Sequence, residues 1–205
     1  MSANVNKKRL DPSFDSWFQM FRNKFDKFDA STKIVFISDC DGTMTDGRSY
    51  YKDDKELKAY CSYDREAVDY IINHTFDQIH FVTGDKAGYH ITENRIKTFF
   101  WGQRYQVSVH VYNSKERVDF IKEIKEKDPK ALTVFIGDAL SDIVAMSTAD
   151  VSMTVSNAPD YVKEYCDYIS PLEGGHGGFA DCIFAFYKWG KTWTGYKNYL
   201  QRIDD

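Results

Sequence analysis

The sequence predicts a doubly wound α/β domain built on a central parallel sheet. Three observations carry that reading: short runs that are apolar on both faces recur along the chain, amphipathic stretches of helical period separate them, and polar turn clusters stand where the runs end. Runs without alternation suit strands covered by helices on both sides, and strands alternating with helices are the mark of parallel crossover connections.

The central runs are KIVFIS (Lys33 to Ser38), QIHFVT (Gln78 to Thr83) and LTVFIG (Leu132 to Gly137). VSVHVY (Val107 to Tyr112) alternates more and fits a strand nearer an edge, and DVSMTV (Asp150 to Val155) reads as a further strand. Among the helices, DREAVDYIINH takes Asp64 as its N-cap and aligns Val68, Ile71 and Ile72. YHITENRIKTFF places Ile91, Ile96, Phe99 and Phe100 on one stripe. SKERVDFIKEIKEK takes Ser114 as its cap, buries Val118, Ile121 and Ile124, and ends at Asp128-Pro129. GFADCIFAFYKW is a helix near the C-terminus. GRSYYKDDKELKAY reads as a β-hairpin around the polar turn Lys52 to Lys55.

Residues 1–30 stand outside this alternation. FDSWFQMFRNKFDKF spaces Phe14, Trp17, Phe18, Phe21, Phe25 and Phe28 as a helix would, packed on the domain or on a partner subunit. The chain therefore divides into an aromatic helical extension (1–30), one α/β domain (31–190) and a C-terminal tail (191–205).

Composition excludes several classes. With 42% hydrophobic and 28% charged residues, the chain reads as a soluble globular protein, without a signal peptide or a membrane-spanning segment. A net charge of −4 with scattered basic residues argues against nucleic-acid and anionic-membrane partners. Cys40, Cys61, Cys166 and Cys182 show neither CxxC spacing nor paired histidines, so no zinc site or disulfide framework is indicated and a cytoplasmic location is expected.

Ligands of open α/β sheets bind beyond the carboxyl ends of the strands. Three polar clusters fall there: Asp39 and Asp41 after the first run, Thr83-Gly84 after the second, and Asp138 with Asp142 in GDALSD after the LTVFIG run. Carboxylates gathered in a small volume raise one another's pKa unless a cation offsets them, and an all-oxygen set suits Mg²⁺ rather than zinc.

The ordered set DCDGT, VTG, a lysine and GDALSD resembles the four motifs of the haloacid dehalogenase superfamily phosphatases. DCDGTMTDGRSYY, ELKAY, VTGDKA and GGHGG are further similar to the capless subfamily of 3-deoxy-D-manno-octulosonate 8-phosphate phosphatases, over roughly Lys33 to Lys188. The resemblance implies a Rossmann-like fold with the hairpin in place of a cap domain, and a Mg²⁺-dependent phosphomonoesterase. Asp39 would be the nucleophile, Asp41 the acid–base group, Thr83 a donor to the phosphoryl oxygens, and Lys115 the phosphate-binding lysine, with Lys86 its rival. Asp39, the Asp41 carbonyl and Asp138 would hold Mg²⁺, supported by Asp142.

Neither the Asp39–Thr83 nor the Thr83–Lys115 interval has room for a cap, so the catalytic face is expected to be open. An open face serves either a large substrate or an oligomer that closes the site; the resemblance implies the second, as a tetramer. Substrate contacts are expected from Gly84, Arg48, Asp64, Lys86 and His176. Three basic positions of the subfamily are Asp85, Tyr63 and His176 here, which shifts the expectation from a sugar acid toward a neutral sugar phosphate or another small phosphorylated metabolite. A polynucleotide or other macromolecular phosphatase and a binding or assembly protein with reduced chemistry are the alternatives.

Overall fold

The IVFISD run forms β1 (Ile34–Asp39), wholly buried at the heart of a six-stranded sheet. The computed structural model describes residues 32–75, 77–99 and 106–187, so the readings for 1–30 and for the C-terminal tail lie outside the described residues. The other sheet strands are β4 (Gln78–Thr83), β5 (Val107–Val111), β6 (Leu132–Ile136), β7 (Val151–Thr154) and β8 (Tyr168–Ile169). Their order is β5-β4-β1-β6-β7-β8, and every neighbouring pair is parallel. β2 (Tyr50–Lys52) and β3 (Lys55–Leu57) form the separate hairpin, turning at Asp53 and Asp54, both with positive φ. A two-residue loop with both centres left-handed matches the twist of the strands it joins.

The helices are α1 (Tyr63–His74), α2 (Tyr89–Phe99), α3 (Ser114–Lys127), α4 (Ile143–Thr148), α5 (Asp160–Lys163) and α6 (Gly178–Phe186). Successive side chains along a strand point to opposite faces, and β1 shows the consequence. Phe36 joins Ile79, Phe81, Val134 and Ile136 beneath residues of α1 and α6, including Val68, Ile71, Phe179 and Ile183. Val35 and Ile37 face the other way, against Val82, Phe135, Ile121 of α3, Met146 of α4 and Val162 of α5. Full burial of each such side chain is worth about 1.5–3 kcal/mol, which makes the two layers the main source of stability.

The chain runs from β1 outward to β4 and β5, then crosses back to start β6 on the other side of β1. The loops after β1 and β6 therefore diverge and leave a crevice between them, where ligands of such sheets bind. At the opposite end a buried polar knot sets the strand starts in register. Asp77 accepts from the Ile34 amide (2.8 Å) and the Tyr187 hydroxyl (2.8 Å), while Gln106 Nε2 donates to the Thr75 (3.1 Å) and Asp77 (2.9 Å) carbonyls.

Two expected caps move by one or two residues. α3 is capped by Asn113, whose side chain accepts from the Lys115 and Glu116 amides while Glu116 reaches back to the Asn113 amide, a reciprocal box that Ser114 at the first helical position does not make. α1 has Ser62 as N-cap, so Asp64 lies within the first turn and faces inward with Ala67, Val68 and Ile71. β8, α4 and α5 escaped the sequence reading because such short elements are too brief to show periodicity. Among the described residues, no helix is long and apolar enough to cross a membrane.

At the β5 edge the Ser108 hydroxyl bridges two rings, 2.6 Å from His80 Nδ1 and 2.5 Å from His110 Nε2, with Phe120 edge-on to His80. A hydroxyl that donates to one ring and accepts from the other requires the accepting ring to be neutral. Burial, aided by the His110 charge, pushes the His80 pKa down to about 4. The unfolded chain binds this proton near pH 6.5 and the folded chain resists it, so stability is full above that pH and falls as pH drops toward 4. Urea titrations are expected to show the advantage of wild type over His80→Gln shrinking across that window; a constant difference would contradict the assignment.

Candidate active site

β1 stops at Asp39 because the next residues fold back on themselves. The Met44 and Thr45 amides donate to the Cys40 carbonyl (3.0 and 3.1 Å), and Gly42 takes φ +95°. Cys40 and Met44 enter the core between the turn and the sheet, leaving Asp39 and Asp41 on the side of the crevice. Only glycine suits position 42: its φ is left-handed, and a Cβ there would stand 2.1 Å from Asp138 Oδ2. Gly174 of the GGHGG loop packs equally close on this turn, its hypothetical Cβ only 1.8 Å from the Gly42 carbonyl oxygen.

β6 delivers the second half. Past Gly137 the chain turns through a 3₁₀ segment (Leu140–Asp142), and Asp142 folds back to accept the Asp138 (3.1 Å) and Ala139 (3.0 Å) amides. Asp138 accepts from the Thr43 hydroxyl at 2.9 Å, tying the β6 loop to the β1 turn. Asp39, Asp138 and Asp142 each offer a carboxylate oxygen within 4.8 Å of the others.

Arg117 neutralises part of this charge. Its guanidinium pairs with Asp39 Oδ1 at 2.8 Å and with Asp142 Oδ1, and its Nε donates to the Tyr112 carbonyl at 3.3 Å. One cation among three carboxylates, two of them buried, is not enough. Burial first, then Asp142, holds the Asp39 pKa well above the carboxylate range, and burial with the Asp142 and Asp41 charges pushes Asp138 up to about 7. The Asp142 pKa is raised as well, chiefly by burial. Such a set gains from a second cation, and its all-oxygen donors fit Mg²⁺. Asp142 has both oxygens committed, so Asp39 and Asp138 are the side chains free to hold an ion.

Asp41 stands at the mouth. Its Oδ2 accepts from the Thr83 hydroxyl (3.0 Å) at the end of β4, and its Oδ1 from Lys58 Nζ (2.7 Å). Lys58 also pairs with Asp85 at 2.7 Å. An isolated bridge between Thr45 and Tyr60 draws the chain after the hairpin against the β1 turn and brings Lys58 in.

The structure thus unites Asp39, Asp41, Thr83, Asp138 and Asp142, with corrections to other assignments. Lys115 does not reach the site. Its side chain is 84% exposed and pairs with Asp119 one turn along α3. Arg117 takes the place expected for it: two residues turn a helix by about 200°, so the two side chains leave on opposite faces. Thr83 is in place, but its hydroxyl already donates to Asp41 and accepts from the Asp85 amide at 3.0 Å. Asp64 is removed from the mouth by its inward position in α1, with neither carboxylate oxygen hydrogen-bonded. Gly84 borders the site, a Cβ there lying 3.8 Å from the Arg117 guanidinium. Arg48 and Lys86 are exposed, and His176 is exposed on the glycine loop with Nδ1 3.2 Å from the Gly174 carbonyl oxygen. Sequence reasoning missed Arg117 and Lys58, and singled out Asp85 without its partner; the inward i+4 spacing of Arg117 with Ile121 was the available signal.

Comparisons with known proteins agree with this architecture. The haloacid dehalogenase-like hydrolase family matches residues 127–183. The 3-deoxy-D-manno-octulosonate 8-phosphate phosphatase of Haemophilus influenzae is 27% identical over 149 residues, 71% of this chain and 77% of that protein. Among solved structures, the phosphatase of that name from Moraxella catarrhalis, in complex with magnesium ion, phosphate ion and the sugar acid, superposes with a TM-score of 0.70 at 19% identity, covering 87% of this chain and 98% of that one. A probable phosphatase from Pseudomonas syringae gives 0.69 at 21% identity, over 87% and 98% of the two chains.

The buried charge cluster makes a prediction that separates Arg117 from Lys115. Removing Arg117 leaves Asp39 and Asp142 without their cation, so Arg117→Met should cost about 3–5 kcal/mol in a urea titration. Lys115→Ala should leave turnover unchanged. The reverse pattern would restore the lysine to the site.

Proposed function

We propose that this chain, related in sequence and fold to the haloacid dehalogenase-like hydrolases, is a Mg²⁺-dependent phosphomonoesterase acting on a small sugar phosphate or related metabolite. One observation carries the reading: Asp39 lies buried at the switch point of the sheet between Arg117 and Asp138, with Asp41 beside it at the mouth.

The chemistry follows from the placement of these groups. An Asp39 oxygen attacks phosphorus, the ester P–O bond breaks, and Asp41 gives its proton to the departing oxygen. Asp41 then takes a proton from water, whose oxygen attacks the aspartyl-phosphate; the bond to Asp39 breaks and inorganic phosphate leaves. Asp39, Asp138 and the Asp41 carbonyl would hold Mg²⁺, which supplies positive charge to the phosphoryl oxygens. Arg117 offsets the repulsion between carboxylate and phosphate and fixes the Asp39 side chain, while Asp142 braces Arg117 and the β6 loop. Thr83 and Lys58 hold Asp41 by its two oxygens, a positioning role in place of direct phosphate contact.

Carboxylates at the mouth (Asp41 and Asp85) favour a small substrate over a nucleic-acid end, whose phosphates call for basic contacts. Apolar side chains exposed on the hairpin and around the glycine loop (Tyr50, Tyr51, Leu57, Tyr63 and Leu172) support self-association over the open face, and the resemblance to the capless subfamily implies a tetramer.

Two measurements test these readings. Hydrolysis of 4-nitrophenyl phosphate should require Mg²⁺, vanish with EDTA, return on Mg²⁺ addition, and fall at least about 10³-fold in Asp39→Asn; an active Asp39→Asn enzyme would overturn the mechanism. Light scattering on the full chain should report a tetramer, and a monomer would overturn the assembly reading.

A further inference from the structure

Lys58 is a buried cation whose charge is already spent. Its side chain is 4% exposed, and its Nζ lies 2.7 Å from both Asp41 Oδ1 and Asp85 Oδ2. The two carboxylates outweigh burial and keep it protonated. Asp85 is held just as firmly: its Oδ1 accepts the Gly88 amide at 2.8 Å, and its own amide donates to the Thr83 hydroxyl at 3.0 Å. The arrangement is one cation shared between two acidic side chains, so Lys58 has no charge left over for a substrate anion on the side where the leaving group departs.

Asp85 is also open to a ligand. Its side chain is 31% exposed and that of Asp41 is 33% exposed, so both carboxylates border the mouth while the ammonium between them does not. The organic part of an ester whose oxygen is protonated by Asp41 must lie along this rim. A hydroxyl finds a carboxylate acceptor there, whereas a second anionic group meets like charge that Lys58 cannot relieve.

We propose that Asp85 is a specificity-determining residue that selects phosphate esters with an uncharged, hydroxyl-bearing organic part and discriminates against those carrying a carboxylate. The inference rests on the phosphomonoesterase reading and adds to it the substrate class.

The test uses two esters that differ only at the carbon farthest from phosphorus: D-glucitol 6-phosphate, which ends in a hydroxymethyl group, and D-gluconate 6-phosphate, which ends in a carboxylate. Each competes with 4-nitrophenyl phosphate in the presence of Mg²⁺, and the ratio of the two inhibition constants is the readout. Wild type is expected to prefer the glucitol ester by about tenfold or more, the size of one charge interaction across a partly solvated mouth. Asp85→Asn, which keeps an oxygen for the Gly88 amide, should bring the ratio to within about threefold of unity, and Asp85→Arg should invert it. A wild-type ratio near one, a preference for the gluconate ester, or a ratio unmoved in both variants overturns the inference while leaving the phosphatase reading intact. Failure of wild type to hydrolyse 4-nitrophenyl phosphate with Mg²⁺ overturns that reading and the inference with it.

Discussion

Asp39 and Asp142 approach each other from opposite sides of the sheet's switch point, both buried, and the Arg117 guanidinium lies between them. Isolated carboxylates in such a place would take up protons or drag in water. The cation offsets part of that cost, and much of the local structure follows from its placement. Arg117 must come off the inward face of α3, so α3 must start where the Asn113 cap starts it. Asp142 must turn back toward β6, so the chain there runs through a tight 3₁₀ segment closed by two amides. Gly42 must be left-handed and bare, since Asp138 fills the space a side chain would take.

The same charge arithmetic orders the mouth. Five acidic groups, Asp39, Asp41, Asp85, Asp138 and Asp142, converge on the crevice among the described residues, and Arg117 and Lys58 are each divided between a pair of them. In the proposed mechanism the interior pair surrounds the attacking carboxylate, where positive charge offsets attack on an anion, and the outer pair surrounds the group proposed to transfer the proton, with Asp85 as an acidic group at the rim. The proposed reaction and the proposed selectivity thereby rest on different ion pairs within one site.

Much of this was legible in the chain itself, and particular residues show why. β1, β4 and β6 are apolar on both faces, so their identity as central strands did not depend on context. Asp39, Asp41, Asp138 and Asp142 stand directly after two of these strands, and strand ends in a parallel sheet share one side of the molecule. The hairpin was visible because a polar turn separates two short runs. What failed to show was orientation. Lys115 and Arg117 are two residues apart on one helix, both basic, and only the helix phase separates an exposed ion pair with Asp119 from the buried centre of the site. Asp64 looked like a cap by residue type, yet its place one turn before Val68 commits it to the core.

The sequence by itself determined the longer strands, the longer helices that cover them, and the carboxylates at the ends of β1 and β6, because hydrophobic period and strand-end position are local properties. Tertiary structure alone decided which cations meet those carboxylates. Arg117 reaches Asp39 across 78 positions of chain and Lys58 reaches Asp85 across 27, and such meetings arise from packing and helix phase. Long-range pairing of charge leaves no periodic trace in a single sequence, so the division of the site into a reacting centre and an acidic rim appears only once the chain is folded.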